Sequence, residues 1–204
     1  DAFGRTPLAM AATMGREALV ERLLGLPGTP PGELASALAL AARKGHTGIV
    51  RALLARGVPF TERDANGQDA LMLAATGGHA ESVALLLERG ADKNAANARG
   101  LTPLLLACFN RHADAALTLV RAGAKLDVVD ANGFSPLLLA AQAGLDEVVA
   151  EMLLRGAPPD RPDSLGTTPL YGAASGGWLN IAMRLLKAGA NPNTATSDGS
   201  TVLI

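Results

Sequence analysis

Apolar residues recur along this chain in short bursts at a fixed interval. Leu8, Leu38, Leu71, Leu104, Leu137, Leu170 and Leu203 follow one another by a step of 30 residues and then by steps of 33. Each belongs to a run such as Leu71-Met72-Leu73-Ala74-Ala75, which predicts a first short helix whose small alanines allow close packing. A second burst has helical spacing, as in Ile49, Leu53 and Leu54 or Val83, Leu86 and Leu87, and predicts a second helix. Turn-forming and polar residues punctuate these bursts in the same register. Gly67, Gly100, Gly133, Gly166 and Gly199 are 33 apart, and two of them close the turn signature Asp-Ala-Asn-Gly at Asp64–Gly67 and Asp130–Gly133. Next come Thr6, Ser36, Asp69, Thr102, Ser135, Thr168 and Thr201, each able to cap a helix N-terminus. Pro7, Pro103, Pro136 and Pro169 then take the first helical position, where a missing N–H costs nothing. Gly15, Gly45, Gly78, Gly144 and Gly177 end the first helix, and Gly57, Gly90, Gly123, Gly156 and Gly189 end the second.

Helices this short are marginal alone in water, so each needs its neighbours. Stacking the units buries a shared apolar seam and makes a solenoid. The expected architecture is all-α: helix-turn-helix units joined by β-hairpin-like loops, in a single array over residues 1–204. Its repeats fall at about 1–31, 32–63, 64–96, 97–129, 130–162 and 163–195, with a partial repeat at 196–204.

Motifs in this register resemble those of the ankyrin repeat family. Gly100-Leu101-Thr102-Pro103-Leu104 is one of them; Ala74-Ala75-Thr76-Gly77-Gly78-His79, leading to Leu85-Leu86-Leu87-Glu88-Arg89-Gly90-Ala91-Asp92, is another. The resemblance covers essentially the whole chain. Where the family usually has His after Thr-Pro-Leu, this chain has Ala9, Ala39, Met72, Leu105, Leu138 and Tyr171, which predicts a different way of fixing the loops. The stretch Leu26-Pro27-Gly28-Thr29-Pro30-Pro31 replaces a hairpin and reads as a rigid loop. Gly172 within a first helix predicts a softer sixth repeat, which Gly172→Ala would stabilise by about 1 kcal/mol given room for a methyl group.

Charge adds an exclusion. Lys and Arg number 18 against 19 Asp and Glu, a net charge of −1, without the basic footprint of a nucleic-acid or anionic-membrane binder. No apolar run approaches the roughly 20 residues needed to cross a bilayer, so a soluble chain is expected, with a cytoplasmic setting favoured. The single cysteine, Cys108, leaves no internal disulfide and reads as a small buried residue. The start at Asp1 and the apolar Val202-Leu203-Ile204 suggest a monomeric array or a fragment of a longer chain, with that end covered by further sequence or by a partner.

Candidate chemistry is sparse. His46, His79 and His112 hold equivalent places in successive repeats, and helices stacked roughly 8–10 Å apart cannot bring their rings to one metal ion. Phosphate-cradling, nucleophile-elbow and zinc-protease motifs are absent from the sequence. No catalytic residue, cofactor or metal is therefore assigned. The resemblance implies that partners meet the hairpin tips and the exposed end of the first helix. Matching positions are Phe3, Met14, Arg43, Lys44, Arg99, Leu101, Phe109, Asn110, Phe134, Gln142 and Leu165. Phe3, Phe109 and Phe134 are the notable ones, because an aromatic without a packing duty is enriched where partners dock. Expected function is thus a non-enzymatic scaffold binding a protein or peptide on its concave face. The alternative is a targeting or regulatory segment of a longer protein, such as a bacterial effector or accessory protein.

Overall fold

The computed structural model describes residues 6–201. Among them the chain forms six helix pairs and no strand. These are α1 (Pro7–Thr13) with α2 (Glu17–Leu24), α3 (Pro31–Lys44) with α4 (Thr47–Ala55), and α5 (Ala70–Gly77) with α6 (Ala80–Glu88). They continue as α7 (Pro103–Phe109) with α8 (Ala113–Arg121), α9 (Pro136–Ala143) with α10 (Asp146–Leu154), and α11 (Pro169–Ser175) with α12 (Leu179–Lys187). First helices pack in one row, α1 on α3, α3 on α5 and so on to α11, and second helices make a second row. The leucine ladder lies between them: Leu8, Leu38, Leu71, Leu104, Leu137 and Leu170 are all buried. Burial of each such side chain contributes about 1.5–3 kcal/mol. Ala41, Ala42, Ala74, Ala75, Ala107, Cys108, Ala140 and Ala141 are fully covered, which is the close approach their size permits.

The N-terminal caps form at five of the expected places. Side-chain oxygens of Thr6, Asp69, Thr102, Ser135 and Thr168 accept the N–H three residues on, at 2.9–3.3 Å. Ser36 is a correction, and Thr201 has no described helix after it. Ser36 lies exposed inside α3, which starts at Pro31. Pro31 is pre-set for a first helical position, Glu33 complements the positive end of the helix, and half-buried Leu34 and buried Ala35 pack inward. Extra helical length therefore replaces the missing hairpin.

The hairpin loops are held by their own side chains. Asp64, Asn97, Asp130 and Asp163 each accept two backbone N–H groups on Oδ1, from the residues two and four positions on, at 2.8–3.0 Å. This clamp fixes the loops without a side chain from the position after Leu8, Leu71, Leu104, Leu137 or Leu170. Adjacent tips are also tied to each other, Ala131 N–H to the Arg99 carbonyl and Ser164 N–H to the Asn132 carbonyl.

A second device locks repeat to repeat. Nε2 of His46, His79 and His112 lies 3.0–3.1 Å from the carbonyls of Thr13, Arg43 and Thr76, each in the preceding repeat. Trp178 does the same with its indole N–H, 3.2 Å from the Gln142 carbonyl. Each ring lies over the glycine that ends the preceding first helix: a Cβ on Gly15, Gly45, Gly78 or Gly144 would fall 2.3–2.6 Å from it. The fifth repeat breaks the series, because Leu145 holds the ring's place and offers no donor to the Phe109 carbonyl. There the helix-ending position is Arg111, not glycine. Gly172 is a further correction. A Cβ would lie 2.6 Å from Gln142 Cγ, so the expected gain from Gly172→Ala requires Gln142 to move.

Candidate interaction site

Large apolar side chains that the stack leaves exposed occur on both sides, Leu154, Leu179 and Met183 on second helices and Phe109 on the first-helix side. In α7 the run Pro103–Cys108 is buried, and Phe109 follows at the helix end, 68% exposed. Equivalent places elsewhere hold Thr13, Arg43, Thr76 and Gln142, so packing does not demand an aromatic there. Phe109 forms one side of an open groove of about 540 Å³ between α7 and the tips of three consecutive hairpins. Arg99, Leu101, Phe109, Asn110 and Phe134 all line it, together with Asn66, Gln68, Asn132 and Leu106. Five of the residues singled out from sequence thus meet in one place.

Their roles differ from one another. Phe134 and Leu101 are half-buried and pack against the core, so the expectation that Phe134 is free of packing duty is corrected: each forms a wall and a structural contact at once. Asn110 donates from Nδ2 to the Leu106 carbonyl at 2.8 Å, which fixes its amide at the groove's end. Asp130 is turned into its own loop by the N–H groups of Asn132 and Phe134. Arg99 is exposed, and among the described residues no carboxylate pairs with it; the ion pairs present, Arg51–Glu81, Arg155–Glu151 and Arg184–Asp146, involve second helices.

Other expected site residues lie apart from the groove. Met14, 61% exposed, belongs to a shallow depression built wholly by the first repeat. Arg43 and Lys44 end α3, exposed, in the register that Phe109 and Asn110 hold two repeats later. Leu165 is exposed at the sixth repeat's tip. Gln142 is half-buried: its carbonyl receives the Trp178 N–H and its side chain lies against Gly172. Phe3 lies outside the described residues.

Asn66, Gln68 and Asn132 are groove residues that sequence reasoning passed over. Asn66 and Asn132 share the register of Arg99, so the repeat itself carried the signal. Cys108, beside Phe109 in sequence, is fully buried and its thiol is pushed up to about 12 by burial, which keeps it protonated and unreactive at neutral pH. Among the described residues no group of three or more His, Cys, Asp or Glu could hold a metal ion, and no helix is long and apolar enough to cross a membrane. A family model described as ankyrin repeats in three copies matches residues 8–97, 90–163 and 137–204. No curated protein matches the chain.

Proposed function

The chain belongs to the ankyrin repeat family, whose arrays generally serve as protein-interaction modules, and from that premise we propose that it is a non-catalytic scaffold that holds a partner protein or peptide on its concave face. The observation that carries this reading is the groove at Phe109. A large aromatic ring stands exposed beside two half-buried apolar walls, with side-chain amides and a guanidinium at the rim. An apolar centre within a polar rim is the usual anatomy of a protein interface. Arg99, Leu101, Phe109, Asn110 and Phe134 form the centre of the proposed site, with Arg43, Lys44 and Leu165 as its flanks.

Site-specific cross-linking in the native host tests this reading. A photoreactive amino acid in place of Phe109 should capture a discrete protein, while the same group in place of Glu81 or Glu88 on the second-helix side should not. Capture from the second-helix positions alone, or none from position 109, would overturn the assignment.

A further inference from the structure

We infer that the groove takes an extended acidic peptide segment, one that places a large apolar side chain against Phe109 and a carboxylate against Arg99. This rests on the reading of the groove as a partner site and names the partner's chemistry. The groove is open along its length and crosses three hairpin tips, a shape suited to part of a longer chain. Its volume, about 540 Å³, lies in the range of sites that enclose most of a small ligand, but its walls leave one side free. Phe109 and the half-buried Leu101 and Phe134 supply one apolar seat. The exposed amides of Asn66 and Asn132 stand on two different tips and can each both donate and accept, which matches the alternating N–H and C=O groups of an extended backbone.

Charge decides the partner's sign. The groove contains two ionic side chains, Arg99 and Asp130; Asp130 keeps its negative charge but is half-buried, with its Oδ1 held by two backbone N–H groups of its own loop. Arg99 remains as the exposed charge without a carboxylate partner among the described residues. Arg43 and Lys44, exposed on the same face in earlier register, extend the positive character. A guanidinium presents a planar fork that fits a carboxylate. A basic segment would instead place like charge against the exposed Arg99, Arg43 and Lys44, with half-buried Asp130 the one lining carboxylate to meet it, and electrostatic mismatch is a strong filter on partners.

Selection from a random peptide library displayed on phage, with the 204-residue chain as bait, tests the inference. Enriched peptides should combine Asp or Glu with a nearby Phe, Leu, Ile or Trp, and should lose affinity at least about tenfold on Phe109→Ser, a change at an exposed site that leaves the melting curve in place. With Arg99→Glu as bait, the enriched charge should switch to Lys or Arg. Apolar peptides with no charge preference, unchanged by Arg99→Glu, would overturn the acidic partner and leave the groove as a partner site. Enrichment indifferent to Phe109→Ser, or none, would overturn both. A wild-type chain that dimerises and a Phe109→Ser chain that does not would identify a second copy as the occupant and also overturn it.

Discussion

Arg111 has a left-handed backbone, φ 63°, at a position where Gly15, Gly45, Gly78, Gly144 and Gly177 adopt φ between 69° and 77°. An L-residue there costs about 1–2 kcal/mol, part of which glycine gives back through its freer unfolded chain. Arg111→Gly should therefore stabilise the chain by about 1 kcal/mol, read as a higher urea midpoint at unchanged slope. The periodic glycines are legible from sequence, and so is the exception. Its tolerance is not, because that turns on the next repeat's residue, Leu145, where the other steps carry a ring. Asp69 offers a second residue-level test. Burial raises its carboxyl above the ordinary value, against the opposing effect of the Met72 N–H. The folded chain thus holds this proton more tightly than the unfolded one. Its cost to stability is absent below the ordinary carboxylate range, grows as pH rises from the ordinary value toward the raised folded one, and is complete above it. Asp69→Thr keeps the capping oxygen that Thr102 and Thr168 supply elsewhere. It should raise stability at neutral pH, with the gain fading in acid; urea titrations at both conditions check this.

Among the elements, the boundary between the fourth and fifth repeats stands out as the one inter-repeat step among the described residues without a ring on the preceding helix end. Leu145→His alone would bring an imidazole against the Arg111 side chain. Together with Arg111→Gly it can lie over the backbone and donate to the Phe109 carbonyl, as its counterparts do at the other steps. The two changes should therefore couple favourably, with an interaction of about 1 kcal/mol or more in a double-mutant cycle of denaturant titrations; simple additivity would count against the lock. Helix existence was legible here because a cap opens every regular repeat, with a first-turn proline or a helix-ending glycine, often both, beside it. The extension of α3 to Pro31 was not, since Ser36 holds the cap register and only the absence of a hairpin ahead of it frees the backbone to begin earlier. The role of Trp178 is hidden from sequence for a related reason. Its indole N–H imitates His Nε2, an equivalence of donor position that residue type alone does not reveal.

For the whole molecule, the site was legible as a register and not as a shape. Equal steps of 33 bring Asn66, Arg99 and Asn132 side by side, but the division of labour between exposed Phe109 and wall-forming Phe134 depends on how each ring leaves its helix or loop. Phe109→Ala should weaken partner binding at least about tenfold while shifting stability by no more than about 0.5 kcal/mol. Phe134→Ala should lower both, with a stability loss of about 2 kcal/mol, measurable by calorimetry beside a binding titration. The ring over the glycine also makes the array directional, since each unit offers a bare glycine to its successor and a ring to its predecessor. Units carrying both halves are interchangeable parts, free to be duplicated or reshuffled by recombination without refitting a boundary. The fourth and fifth have exchanged that freedom for a private key: Arg111 refuses a successor with a ring, and Leu145 asks nothing of the unit before it. Duplication of the third unit should accordingly be tolerated in tandem, whereas any shuffle placing a His-bearing unit directly after the fourth should not, and the groove that spans this boundary is inherited whole or lost.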